Sequence, residues 1–74
     1  MAKRYFVEYE SDKVVCGSNK HEYCRTNTLK TAIGVAKRVK KELADQNARN
    51  VRVYDCFAEL DPATNFVPCV FSVE

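Results

Sequence analysis

Polar and apolar positions alternate near both ends of the chain and follow a helical period in the middle. Residues 4–10, RYFVEYE, repeat with period two and are rich in β-formers, which predicts a strand. Tyr5, Val7 and Tyr9 take one face of it, and Phe6, Glu8 and Glu10 take the other. Ser11, Asp12 and Lys13 then carry turn chemistry. Two stretches compete for the second strand: Val14, Val15 and Cys16, ended by Gly17-Ser18-Asn19, or residues 21–25. Thr26, Asn27 and Thr28 offer short polar side chains that accept the free amide protons of a helix's first turn. Leu29, Ala32, Ile33, Ala36, Val39 and Leu43 fall on one stripe at the helical period, predicting an amphipathic helix over 29–47. Gly34 lies off that stripe and weakens the helix slightly.

Two further strands are predicted over 51–59 and 66–73, joined by a turn at 60–65, LDPATN. A hairpin about that turn sets Cys56 opposite Cys69, Tyr54 opposite Phe71 and Arg52 opposite Val73. It assigns Tyr54, Cys56, Ala58, Val67, Cys69, Phe71 and Val73 to the core. Val51, Val53, Asp55, Phe57, Glu59, Phe66, Pro68 and Val70 fall on the outer face. A slip of one residue exchanges the two faces. The order strand, strand, helix, strand, strand predicts a single α+β domain over 1–74. Its architecture is a two-layer sandwich, an antiparallel ββαββ sheet with one helix packed on one face.

Length and composition agree with this. Seventy-four residues make one small domain, and 46% hydrophobic with 30% charged residues is ordinary globular usage. No run approaches the roughly 20 apolar residues of a membrane span, and the start has no apolar signal-peptide core. A cytoplasmic chain with no membrane role is therefore expected, with its four cysteines reduced. The net charge of +2 hides an uneven distribution. Residues 28–49 hold six Lys/Arg against two Asp/Glu, whereas residues 50–74 hold one against four.

Three sets of residues are candidates for function. Lys30, Lys37, Arg38 and Lys41 form a basic row on the predicted helix, rising about 16 Å from Lys30 to Lys41. Such a row either follows phosphates or is a solvated face supported by Arg38–Glu42 and Lys41–Asp45 pairs. Phe6, Glu8, Glu10, Asp55, Phe57 and Glu59 make an acidic and apolar sheet face. Its carboxylates argue against a base-stacking platform, and its apolar residues suit a protein partner or a homodimer. Cys16, His21 and Cys24 have metal-ligand side chains, but their spacing contains no CxxC pair, so neither zinc nor any other cofactor is expected. One histidine, two glycines and scattered carboxylates offer no nucleophile, phosphate loop or acid–base pair, so an enzyme is not expected.

The stretch TLKTAIGVAKRVKKEL, followed by NVRVYD and preceded by the strand YFVEY, resembles small phage- or prophage-encoded accessory proteins in layout. Some anti-CRISPR inhibitors share this strand–strand–helix–strand–strand order. The resemblance implies a stoichiometric inhibitor or adaptor that works by occupying a surface, and it transfers no individual residue's role. The expected function is a non-enzymatic protein-binding module that masks a charged surface, as a phage-type inhibitor of a host nucleoprotein or defence complex would. One surface offered is the basic helix row; the other is the acidic sheet acting as a phosphate mimic. The alternatives are a nucleic-acid-binding domain that uses the basic helix, and a small zinc-stabilised domain.

Overall fold

The computed structural model describes residues 3–73. The chain runs β1 (Tyr5–Val15), β2 (Ser18–Thr26), α1 (Leu29–Glu42), a 3-10 turn (Ala44–Gln46), β3 (Arg49–Asp55) and β4 (Cys69–Val73). The four strands form one antiparallel sheet in the order β2-β1-β3-β4. α1 covers one face, giving the two-layer α+β sandwich that the pattern predicts.

The first hairpin turns at Cys16 and Gly17, not at residues 11–13. Both central residues have positive φ, +52° and +79°, the signature of a two-residue primed turn. The polar run at Ser11 builds a bulge instead. Between the pairs Glu10–Lys20 and Val15–Ser18, β1 places four residues against one of β2. The buried Ser11 hydroxyl accepts the Lys13 amide at 3.3 Å, and the His21 Nε2 lies 2.8 Å from the Lys13 carbonyl oxygen. Turn chemistry is thus spent on bending a strand without reversing it. Val14 and Val15 close β1 and Cys16 lies in the turn, so of the two competing stretches residues 21–25 belong to β2.

α1 begins where the caps predict. Thr28 Oγ1 accepts the Thr31 amide at 3.2 Å. The helix ends at Glu42, five residues before the predicted end at 47. The 3-10 turn follows and closes on Asn47 at φ +56°. Ala32, Val35, Ala36 and Val39 are its buried residues. Val35 therefore replaces Ile33, which is only half-buried, on the covered stripe.

The last two strands pair one residue away from the predicted register. Val51 faces Val73, Arg52 faces Ser72 and Val53 faces Phe71. The prediction counted back from a tight turn, but β3 stops at Asp55 and residues 56–68 form a long connection. The slip exchanges the faces of β3: Val51 and Val53 are fully buried under α1, and Tyr54 turns to the outer face. Val7, Val51 and Val53 pack there against Ala32, Val35, Ala36 and Val39. Small alanines bring the helix close, and β-branched valines suit the pleated surface beneath it. Phe71 and Val73 pack on this core as predicted.

Both edge strands are irregular. Val7 pairs with Cys24 and Glu8 with Glu22, which leaves Tyr23 as an extra residue in β2. Val53 pairs with Phe71 and Tyr54 with Cys69, which leaves Val70 as an extra residue in β4. Bulges of this kind twist an edge away from a straight added strand.

Candidate binding faces

The solvent face of α1 carries the predicted row. Lys30, Lys37, Arg38 and Lys41 are all exposed, and none forms an ion pair among the described residues. Neither supporting pair forms. The Glu42 carboxylate accepts the Tyr23 hydroxyl at 2.9 Å, and Asp45 lies in the 3-10 turn beyond the helix end. That hydrogen bond, reinforced by the carboxylate's charge, holds the Tyr23 phenol above the ordinary tyrosine range. Three arginines elsewhere have carboxylate partners, Arg4 with Asp55 at 2.8 Å, Arg25 with Glu22 at 2.7 Å and Arg49 with Asp12 at 3.0 Å, whereas Arg52, Lys13 and Lys20 form no ion pair among the described residues. Gly34 sits in the middle of the basic row, one turn from Lys30, Lys37 and Arg38. The sequence reading treated it only as a helix defect. Its solvent-face position among four cations is the signal that was available.

The acidic sheet face is not assembled as predicted. Phe6, Glu8 and Glu10 do lie on the outer face, but Asp55, Phe57 and Glu59 leave it. Asp55 is buried beneath Arg4, whose Nε and Nη2 donate to its two oxygens at 2.9 and 2.8 Å. That paired hydrogen bond holds the Asp55 carboxyl below the usual carboxylate range. Phe57 and Glu59 are exposed in the long connection. The remaining outer carboxylates have neighbours that offset them: Glu8 lies opposite Arg52, Glu10 accepts from Asn50 Nδ2 at 2.8 Å, and Glu22 pairs with Arg25. A continuous acidic surface that would mimic phosphates is therefore absent from the described residues.

In its place stands an aromatic cluster. Phe6 stacks on Tyr54 with ring centroids 5.0 Å apart, and Phe66 meets Tyr54 edge-on at 5.6 Å. The Arg25 guanidinium lies over Phe6 at 5.7 Å. The connection, held by the Asp61–Phe66 bridge, folds over this cluster and leaves an open cleft of about 410 Å³ beside Arg52 and Cys69. Tyr54 and Phe66 escaped the sequence reading as neighbours because the register was one residue out. The same slip takes Val51 and Val53 out of the apolar outer set and into the core, while Phe57, Phe66 and Val70 stay exposed.

The metal-type side chains stay apart. Cys16 is exposed at the hairpin tip, and the His21 ring rests 5.2 Å from Tyr9 with Nε2 at the Lys13 carbonyl. Cys24 faces the core opposite Val7, and burial pushes its thiol up. Among the described residues, no group of three or more His, Cys, Asp or Glu side chains is placed to hold a metal ion. All four cysteines are free thiols, and Cys69 lies opposite Tyr54, not Cys56. Among the described residues, no helix is long and apolar enough to cross a membrane. No protein-family model, curated protein or solved structure matches the chain.

Proposed function

We propose that the chain is a non-enzymatic protein-binding module that docks through the solvent face of α1 onto a carboxylate-rich partner surface. One observation carries this reading: Lys30, Lys37, Arg38 and Lys41 are exposed together along one face of a single helix, and none of them forms an ion pair among the described residues. Four like charges held along one rigid helix repel each other, and an external anionic surface relieves that repulsion. The module acts by occupancy, as a stoichiometric inhibitor or adaptor does, which is the mode that the phage-type layout implies. Four free thiols suit a reducing cytoplasm.

A second reading, nucleic-acid binding by the same row, gains from the charge distribution. Glu8 and Glu10 lie on the sheet face opposite α1, so they do not screen the helix from phosphates. Affinity capture from host lysate, with and without nuclease, separates the two. The wild-type chain is compared with the double variant Lys37→Glu/Lys41→Glu. A partner that survives nuclease and is lost with the double variant supports the protein-binding reading. A partner lost on nuclease treatment moves nucleic acid to first place. A partner kept by the double variant removes α1 from either role.

A further inference from the structure

Gly34 has no purpose inside this fold. It stands in the middle of α1, where glycine is a poorer helix former than alanine. Its φ is not left-handed, and a Cβ built on it meets nothing within 4 Å. Neither backbone conformation nor internal packing calls for a missing side chain. An exposed glycine at mid-helix leaves the backbone open to close approach by another molecule.

Its neighbours say what that molecule is. At the helical step, Lys41, Lys30 and Lys37 lie within about 60° of Gly34 on one side, and Arg38 lies about 40° on the other. The side chain of each is exposed. The face is therefore a shallow trough with a backbone floor and cationic walls. Its charges recur at rises of about 6, 10 and 16 Å, from Lys37 to Lys41, Lys30 to Lys37 and Lys30 to Lys41. Carboxylates at i, i+4 and i+11 of a second α-helix repeat those rises. Packed helices lie about 8–10 Å apart, the distance depending on the side chains at the contact, and glycine at the crossing point brings them to the near end.

We infer, resting on the protein-binding reading above, that α1 receives a carboxylate-bearing α-helix of a partner protein, seated on Gly34 between the lysine row and Arg38. A binding experiment tests this directly. The probe is a fluorescein-labelled synthetic helical peptide of about 20 residues, with Glu at the matching spacings and Ala along its contact stripe. A peptide of the same composition with scrambled spacing and a short DNA duplex serve as comparison ligands. The variants are Gly34→Ala, Gly34→Leu and Lys37→Glu/Lys41→Glu, each checked for folding by its melting temperature.

The expected result is salt-sensitive binding of the matched peptide, weaker binding of the scrambled one, and loss in the charge-reversed variant. Gly34→Leu weakens binding about tenfold or more, with Gly34→Ala in between. Both melt at or above the wild-type temperature, because each is a better helix former than glycine. A variant that binds less while melting higher cannot be explained by damage to the fold. Equal affinity of Gly34→Leu and wild type, with binding still lost on charge reversal, overturns the role of Gly34 and leaves the cationic-face reading standing. No binding of the matched peptide overturns the helical occupant, while the capture comparison decides the wider reading. Tight binding of the duplex alone replaces both with nucleic acid.

Discussion

Val53→Ala is the sharpest test of the sheet register. Val53 is 0% exposed and packs under α1 with Val7, Val51 and Val39. Truncation removes two methyl groups, worth about 1.6 kcal/mol of transfer free energy at ~0.8 each. The cavity left behind adds to that, for a total of about 2–3 kcal/mol. A domain of this size has about 4–11 kcal/mol in all. The melting temperature should therefore fall by about 8–24 °C. Val70 is the comparison, since it is 41% exposed and is the bulged residue of β4. Val70→Ala should cost about 0.5 kcal/mol or less. Thermal and urea denaturation followed by far-ultraviolet circular dichroism measure both. In the alternative register, Val53 lies on the outer face and its truncation is nearly silent. A Val53→Ala shift no larger than that of Val70→Ala would refute the register and the core built on it.

Three other perturbations read local features. Cys16 sits at φ +52° in a turn that prefers asparagine or glycine, so Cys16→Asn should raise stability by about 1 kcal/mol, and an unchanged or lower melting temperature contradicts this. Asp55 is held below the ordinary carboxylate range by Arg4, so it contributes stability above its unfolded pKa of about 4 and loses it as pH falls through the lower folded value. Asp55→Asn should then flatten the acid limb of the stability–pH curve, and an equally steep limb removes the pair from acid unfolding. Tyr23 should ionise above about pH 10 in an ultraviolet difference titration against Tyr23→Phe, because the folded chain holds its proton for Glu42; Glu42→Gln should lower that midpoint, and an unmoved midpoint rules the contact out in solution.

Local chemistry was the legible part of this fold. Thr28 caps α1 because a threonine before an apolar stripe has few other uses, and the first strand's alternation placed Val7 inward and Glu8 outward correctly. Non-local pairing was the illegible part. Ser11-Asp12-Lys13 and Leu60-Asp61-Pro62 have the same turn chemistry, yet one bends a strand and the other sits in a long connection. Nothing local distinguishes them; the difference lies in how many residues the neighbouring strand must span. The error in the β3 face followed from that, because one wrong turn length moves every side chain to the opposite side. The basic row was read correctly as exposed, whereas the acidic face dissolved once β3 ended at Asp55 and Arg4 captured that carboxylate.

The two faces of the sandwich therefore have different electrostatic characters. On the sheet side Glu22 pairs with Arg25, Glu10 accepts from Asn50, Glu8 lies opposite Arg52 in register, and an aromatic cluster stands beside them. The helix side leaves four cations without ion-pair partners around a glycine that the fold does not need. Glu42 stands at the i, i+4 position from Arg38, but its carboxylate accepts the hydroxyl of Tyr23, the extra residue of the β2 bulge, and forms no ion pair with Arg38. The bulge residue thus competes with Arg38 for the Glu42 carboxylate. Tyr23→Phe releases Glu42 toward Arg38 at the i, i+4 spacing, so it should weaken capture of an acidic partner about two- to threefold, the size of one exposed helix pair. Side-by-side titration of the matched acidic peptide with wild type and Tyr23→Phe measures it. Equal affinities would separate the edge bulge from the charge of the helix face and leave each as an independent feature of the fold.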